Sequence, residues 1–117
     1  MANTDAKEIV DRYNRALEKK DFTAARALLA DDLTFEGPLD RFERADDYVE
    51  AITRLYGMVK GVRRIATITE GADVAHFYLL QTPVADAPVA EWYRIRDGRI
   101  SELRAYFDAR PFAPSGR

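Results

Sequence analysis

The sequence has no cysteine and only one histidine, and these absences remove whole classes of chemistry. A chain without cysteine has no disulfide framework and no thiolate nucleophile, and this composition fits a cytoplasmic protein. A conventional zinc site takes several Cys, His or carboxylate ligands, so a single histidine argues against one. No ligand cluster or phosphate-binding loop is visible, and we predict neither a metal ion nor an organic cofactor.

A strong charge of one sign and a long hydrophobic run are also missing. The net charge is −2, with both signs interspersed, so the overall charge does not favour nucleic acid or an anionic membrane. No apolar run approaches the roughly 18 residues that a membrane helix needs. The N-terminal "MANTDAKEIV" is polar and acidic, unlike a signal peptide. We predict a soluble cytoplasmic protein without nucleic-acid or membrane partners.

The composition that remains is that of one globular domain. The 117 residues are 47% apolar and 32% charged, which is ordinary for a soluble domain with a single core. We find no internal repeat and no low-complexity segment. We therefore expect one domain over residues 1–117, with its core in 5–112 and a flexible tail in 113–117.

Apolar residues recur every three or four positions through the first half of the chain, which is the spacing of amphipathic helices. The first helix is predicted over residues 5–19, and Asp21 is placed to cap a short second helix. A third helix opens at Asp46 or Asp47 and ends near Gly61. The predicted buried positions of the first and third helices are Ala6, Ile9, Val10, Tyr13, Ala16, Leu17, Val49, Ile52, Leu55, Tyr56 and Val59.

The apolar period changes to two in the second half of the chain, as in half-buried strands. Asp97-Gly98 lies between two alternating runs and is a strong hairpin signal. An earlier short strand ends in "EGP", with Leu33, Phe35 and Gly37 on one face. Three helices followed by an antiparallel meander predict an α+β domain with helices on one sheet face. The later strands are predicted over 62–70, 74–82, 89–96 and 99–108.

Alternation along the strands predicts which side chains face the core. In "VAEWYRIR" it places Glu91 on the more apolar face with Val89 and Tyr93, which would bury a carboxylate. The same rule turns Leu103 and Phe107 inward in the last strand. In strand 74–82 we expect an inner set of Phe77, Leu79 and Gln81 and an outer set of His76, Tyr78 and Leu80.

Two segments carry a resemblance to a known family. "RYNRALEKKDFTAARALLADDLTFEGP" is similar to the helix–helix–strand segment of ketosteroid isomerases, and "WYRIRDGRISELRAYFD" resembles their final hairpin. The likeness covers residues 5–112 and is to SnoaL-like and ketosteroid isomerase-like proteins of the nuclear-transport-factor-2-like fold. It implies a cone-shaped domain, in which three N-terminal helices pack on a curved, mostly antiparallel sheet around an apolar cavity. It implies less about function, because this fold hosts isomerases, cyclases, dehydratases, epoxide hydrolases and non-catalytic binders.

The resemblance suggests roles for three residues. Tyr13 matches the tyrosine that donates its phenol to the enolate oxygen, and Glu91 falls where the isomerases hold a protonated aspartic acid. Tyr56 lies where they place a second tyrosine that hydrogen-bonds to the first. Each residue has a structural alternative. Tyr13 and Tyr56 would then be core aromatics, and Glu91 an exposed residue paired with an arginine.

The chain departs from the family pattern at Gly37, where the isomerases carry the aspartate that moves the proton. Asp40 in the following loop is the candidate substitute, and a solvated loop carboxylate is the alternative. Asp108 matches an acidic residue of the polyketide cyclases, but alternation turns it outward, toward an ion pair with Arg110 or Arg94. Steroid isomerisation is therefore not expected of this chain.

Three functions stay open at this point. Tyr13, Glu91 and Asp40 indicate a cofactor-independent isomerase, cyclase or dehydratase-type lyase that acts on a small hydrophobic carbonyl compound. The alternatives are a non-catalytic module that binds a small hydrophobic ligand and a dimerisation domain whose own aromatics fill the cavity. The predicted ligand-binding residues are Phe35, Tyr56, Phe77, Leu79, Gln81, Tyr93, Leu103 and Phe107.

The outer face of the sheet is predicted to join two copies of the chain. Exposed aromatics mixed with arginine are typical of interface cores, and the resemblance implies pairing through this face. We expect a homodimer. The predicted interface residues are Trp92, Tyr78, Leu80, Tyr106, Arg94 and Arg104.

Overall fold

The computed structural model describes residues 2–112, and the side chains of residues 6–112. The predicted tail 113–117 lies outside the described residues. A single 3₁₀ turn, Arg110–Phe112, follows the last strand. The elements in chain order are α1 (Ala2–Glu18), α2 (Phe22–Ala27), β1 (Leu29–Glu36), β2 (Arg41–Phe42), α3 (Ala45–Tyr56), β3 (Gly61–Glu70), β4 (Asp73–Gln81), β5 (Asp86–Arg96) and β6 (Arg99–Tyr106).

The six strands form one curved sheet in the order β2-β1-β6-β5-β4-β3. Every neighbouring pair is antiparallel except β1 and β6, which are parallel. The helices contact the strands from one side, α1 against β3, β4 and β6 and α3 against β1 and β2. The predicted α+β fold, with three helices on a mostly antiparallel sheet, is confirmed.

Local sequence signals explain several element boundaries. Asp21 caps α2, because its Oδ1 accepts a hydrogen bond from the Ala24 backbone N–H at 3.1 Å. Asp97 and Gly98 both adopt positive φ, 53° and 76°, which is the backbone of a tight two-residue hairpin turn. Helix α3 begins one residue before Asp46, and Arg44 at its N-cap makes no side-chain cap hydrogen bond. The helix ends at Tyr56 with Gly57 as its C-cap, so the predicted end near Gly61 is wrong, and Gly61 begins β3 instead.

The core lies between α1 and the inner face of the sheet. Val10, Tyr13 and Leu17 form a buried stripe along α1, one helical turn apart. The opposing strands contribute Leu29 and Leu33 from β1, both without exposed surface. Within residues 2–112, no helix is long and apolar enough to span a membrane.

The predicted alternation of β4 is wrong. His76, Tyr78 and Leu80 are buried on the inner face, and Phe77, Leu79 and Gln81 belong to the outer face. This follows from pairing, since Tyr78 lies opposite Val89 and His76 opposite Glu91, and residues paired across strands share a face. Both sets of β4 side chains are largely apolar, so the sequence of this strand alone does not distinguish its faces. Tyr78 and Leu80 are consequently removed from the predicted outer surface.

Candidate active site

A cavity of about 320 Å³ lies between α3, the β1–β2 connection and the inner face of the sheet. This volume is within the range of sites that bind small organic molecules. Its walls are almost entirely apolar or aromatic, and among the described lining residues the charged side chains are Glu91 and Asp40. Its aromatic lining residues are Phe35, Phe42, Tyr48, Tyr56, Tyr78, Phe107 and Phe112. No three His, Asp or Glu side chains in the described part of the chain are grouped to hold a metal ion.

Glu91 lies on the cavity face of β5, and two phenols hold its carboxylate. The Tyr78 hydroxyl donates to Oε2 at 2.9 Å, and the Tyr93 hydroxyl donates to Oε1. Burial raises the pKa of the Glu91 carboxyl above its ordinary value, while the hydrogen bonds from Tyr93 and Tyr78 oppose this rise. The result is a carboxyl group that is more basic than one in water and fixed in orientation.

A polar connection runs from α1 through the core to Glu91. The buried Asn14 amide donates to the Val10 carbonyl oxygen at 2.9 Å and to the Tyr93 hydroxyl at 3.2 Å. Both amide hydrogens are therefore used, and the Tyr93 proton is free to point at Glu91. Asn14 holds the phenol that in turn holds the carboxylate.

Tyr13 does not line the cavity, and Tyr48 lies between it and the cavity. The two hydroxyls are 2.5 Å apart, and both side chains are buried, with 1% of Tyr13 and 2% of Tyr48 exposed, but of the two tyrosines Tyr48 lines the cavity. If Tyr48 were the donor, the Tyr13 proton would be buried without an acceptor, which is costly. Tyr13 therefore donates to Tyr48, and the Tyr48 proton is left to point into the cavity. The predicted tyrosine pair exists, but the partner of Tyr13 is Tyr48 and not Tyr56.

The four buried phenols of this region stay protonated at neutral pH. Burial raises the pKa of Tyr13, Tyr48, Tyr78 and Tyr93 well above the ordinary value near ~10. Burial also raises the pKa of Tyr56, which lines the cavity from the end of α3. All five groups are hydrogen-bond donors at physiological pH.

The remaining candidates from the sequence divide into three groups by position. Phe35 and Phe107 line the cavity, and Asp40 lies at its exposed rim. Tyr93 and Leu103 are fully buried beneath the cavity floor. The third group, Phe77, Leu79 and Gln81, is on the opposite sheet face and does not line the cavity.

Asp108 points away from the cavity and forms an ion pair with Arg110 at 2.6 Å. Hydrogen bonds from the Arg110 side chain and backbone lower the pKa of this carboxyl to about 2. The outward orientation predicted from alternation agrees with this placement. Asp108 is therefore not part of the cavity.

Gly37 lines the cavity next to an aromatic ring. A Cβ atom built on Gly37 would lie 3.0 Å from Cζ of Phe35 and 3.8 Å from Cβ of Ala105. A larger side chain at this position would have to displace the Phe35 ring. The ring therefore occupies space that a carboxylate at position 37 would need.

Tyr48, Tyr78 and Asn14 were not predicted as site residues. Asn14 continues the buried stripe of α1 one residue after Tyr13, and a polar residue on such a stripe signals a buried hydrogen bond. Tyr48 precedes Ile52 by one helical turn and continues the apolar face of α3. Tyr78 carried no local signal, because its face depends on the register with β5.

His76 is buried on the inner face beside the site but outside the cavity lining. Its Nδ1 is 3.1 Å from the Thr67 hydroxyl, and its ring packs on Tyr78 with centroids 5.0 Å apart. Among the described residues, Nε2 of His76 is the one buried side-chain N or O atom without a hydrogen-bond partner. Burial, assisted by the nearby Arg64, lowers the pKa of His76 to about 4. The ring is neutral at physiological pH.

Comparison with known proteins gives a family match and many structural matches. The model of the SnoaL-like domain family matches residues 10–103. A structure from Kribbella flavida is 28% identical with a TM-score of 0.85, covering 90% of this chain and 88% of its own. An NTF2-like protein of unknown function from Cytophaga hutchinsonii is 25% identical with a TM-score of 0.82, covering 92% and 93%.

A third similar structure has an enzymatic description. It is an LEH-like epoxide hydrolase from Mycobacterium tuberculosis, 27% identical with a TM-score of 0.75, covering 92% of this chain and 85% of its own. No protein of curated function matches the chain. The resemblance inferred from the two sequence segments is confirmed by these matches.

Proposed function

We propose that this protein is a cofactor-independent acid–base enzyme for a small hydrophobic carbonyl compound. The chain belongs to the SnoaL-like domain family, whose fold encloses a cavity. The observation that carries the proposal is the buried carboxylate of Glu91, which lies among apolar and phenolic groups, whereas the other lining carboxylate, Asp40, is exposed at the rim. A carboxylate in such surroundings is a stronger base than one in water.

In the proposed reaction Glu91 removes a proton from the carbon next to the carbonyl group. The C–H bond breaks and its electron pair forms a new C=C bond, while the π pair of the C=O bond moves onto the oxygen to give an enolate. Tyr48 donates a hydrogen bond to that oxygen, and Tyr13 strengthens this donor by its own hydrogen bond to Tyr48. Glu91 then returns the proton to the same or another carbon, so that no proton is gained or lost overall.

Asp40 is not needed for this reaction. It is exposed at the rim, whereas Glu91 is held at the cavity floor by two phenols. The aspartate absent at position 37 is replaced in the proposal by Glu91, which acts as base instead of oxyanion donor. Tyr48 takes the donor role that the family pattern assigns to Tyr13.

The test is exchange of the α-protons of 2-tetralone, a compact apolar ketone, followed by proton NMR in D₂O. The protein should accelerate exchange, and Glu91→Gln should remove the acceleration. Glu50→Gln is the matched control, because it makes the same substitution on the exposed surface of α3. Exchange that is equally fast in Glu91→Gln would contradict the role of Glu91.

Hydrolysis of cyclohexene oxide is measured in parallel, because one similar structure is an epoxide hydrolase.

The second candidate is a non-catalytic module that binds a small hydrophobic ligand. It is favoured by the use of both Glu91 oxygens in internal hydrogen bonds and by the glycine at position 37. If the protein binds 2-tetralone but neither accelerates its proton exchange nor hydrolyses cyclohexene oxide, this second function is supported.

The outer sheet face supports a further part of the proposal, a homodimer. Trp92 is 43% exposed and Tyr106 52% exposed on this face, and the Arg104 guanidinium lies 5.5 Å from the Trp92 ring centroid. The Trp92 indole also donates to Asp73 at 3.0 Å. Ordered, exposed aromatics of this kind are typical of the central residues of interfaces.

A further inference from the structure

The fixed charge of the cavity has one sign. Glu91 at the floor and Asp40 at the rim are acidic, and no Lys, Arg or His in residues 6–112 lines the cavity. The guanidinium of Arg110, which precedes the lining residue Pro111, is engaged with Asp108. Arg26, close to the start of β1, is held by Asp31 and Asp46. The cavity therefore carries negative charge without a cation to balance it.

This charge distribution should make the affinity of a ligand depend on the ligand's own charge. A carboxylate or phosphate ligand would lose its hydration and face Glu91 in an apolar site, which is unfavourable. A cation in the same position would gain a charge-assisted hydrogen bond. Each carboxylate oxygen of Glu91 accepts one phenol and keeps a further acceptor site for a ligand N–H.

The cavity walls favour the same class of ligand. The faces of aromatic rings attract cations, and the effect grows when water is excluded. The rings and aliphatic side chains of the cavity surround the Glu91 carboxylate. The apolar part of a ligand can therefore pack against the walls while its cationic group contacts Glu91. Phe35, Phe42, Tyr48, Tyr78 and Phe107 are among the rings that line it.

We infer that the cavity binds a lipophilic amine in its protonated form, with the ammonium group on Glu91 and the apolar body against the aromatic walls. The complex is the same whether an ammonium meets the carboxylate or a neutral amine takes the proton of the carboxylic acid. The inference concerns the same cavity as the proposed function but does not depend on turnover.

The experiment compares three phenylalkyl probes of similar size by isothermal titration calorimetry at pH 7: 2-phenylethylamine, 2-phenylethanol and 3-phenylpropanoate. We expect the amine to bind about tenfold more tightly than the alcohol, and the carboxylate more weakly than both, because only the amine gains a charged hydrogen bond. Equal affinities of amine and alcohol, or a carboxylate that binds as tightly as the amine, would overturn the inference. This order of affinities is measured on the unaltered protein and needs no variant to fold.

A variant then locates the charge that selects the ligand. Glu91→Gln should reduce the affinity for the amine about tenfold, to that of the alcohol, and leave the affinity for the alcohol within about twofold. Glu50→Gln should leave the preference for the amine intact. A preference that survives in folded Glu91→Gln contradicts the inference. If 2-tetralone exchange is absent while the preference holds, the proposed catalysis fails and the amine site stands.

Discussion

At the residue scale, the site depends on which hydroxyl donates to which oxygen. Tyr93 is held by Asn14 and donates to Glu91, and Tyr13 donates to Tyr48. Every proton in this arrangement has an acceptor except that of Tyr48, which is directed at the cavity. Removal of the Tyr13 hydroxyl and removal of the Tyr48 hydroxyl should therefore have different effects, although the two groups are in contact.

Removal of the Tyr48 hydroxyl should affect catalysis more than removal of the Tyr13 hydroxyl. Tyr48→Phe removes the donor to the enolate oxygen and should slow 2-tetralone exchange by about 10²-fold or more. Tyr13→Phe removes only the group that polarises this donor, and about tenfold is expected. Proton NMR exchange rates of the two variants give the comparison. A larger loss in Tyr13→Phe would mean that Tyr13 is itself the donor to the ligand.

His76 should make the protein sensitive to acid. Its pKa is about 4 in the folded chain, against ~6.5 when unfolded, so between these values only the unfolded chain binds the proton. Stability should therefore fall as the pH drops from about 6.5 to 4, by about 3 kcal/mol in total. His76→Phe removes this titration, while Arg64, Asp11 and Lys7 near the ring are common to both proteins.

Urea unfolding of both proteins at several pH values tests this expectation. The difference in unfolding free energy between His76→Phe and the unaltered protein should grow in favour of the variant as the pH falls. A difference that is constant between pH 7 and pH 4 would show that His76 does not titrate as described.

At the element scale, β4 and β5 show what sequence can and cannot predict. Alternation placed Glu91 and Tyr93 correctly, because the opposite face of β5 carries Trp92 and arginines, which are unsuited to a core. In β4 both faces are apolar, and pairing with β5 decides the orientation. The presence of the helices, the Asp97-Gly98 hairpin and the cap of α2 were predictable because each rests on local spacing, whereas the end of α3 was placed near Gly61 and lies at Tyr56. The Tyr13–Tyr48 contact joins residues 35 positions apart and left no local pattern.

Two adjacent leucines in β4 test its orientation. Leu80 is 7% exposed and lines the cavity, whereas Leu79 lies on the outer face. Leu80→Ala should lower the unfolding free energy by about 2–3 kcal/mol, and Leu79→Ala by about 1 kcal/mol or less. Urea unfolding measures both changes, and titration with 2-phenylethanol should show altered affinity only for Leu80→Ala. A greater loss of stability in Leu79→Ala would mean that the faces are exchanged.

At the scale of the whole molecule, the helices cover one sheet face, and the proposed homodimer would use the other. The cavity opens on the helical side, so pairing through the outer face would leave the ligand site accessible in each copy. Catalysis and assembly are thus assigned to opposite faces of the same sheet. Glu91 and Trp92, adjacent in β5, point to opposite faces and so take part in the two different proposed functions.

Charge introduced on the outer face should disrupt the homodimer. Trp92→Glu places like charges at the centre of the proposed interface, and light scattering should show a change from dimer to monomer. Thr23→Glu adds the same charge on the exposed surface of α2 and should leave the dimer unchanged. A monomeric unaltered protein, or a Trp92→Glu variant that remains dimeric, would contradict pairing through this face.

The central claim is that the cavity holds a carboxyl group made more basic by burial. Its most direct test is a ¹³C NMR titration of the Glu91 carboxyl carbon, assigned by the loss of its signal in Glu91→Gln. The account predicts a pKa clearly above the ~4.3 of an unperturbed glutamate, because desolvation outweighs the two phenol hydrogen bonds. A Glu91 pKa at or below ~4.3 would contradict it, since the carboxylate would then be no better a base than one in water.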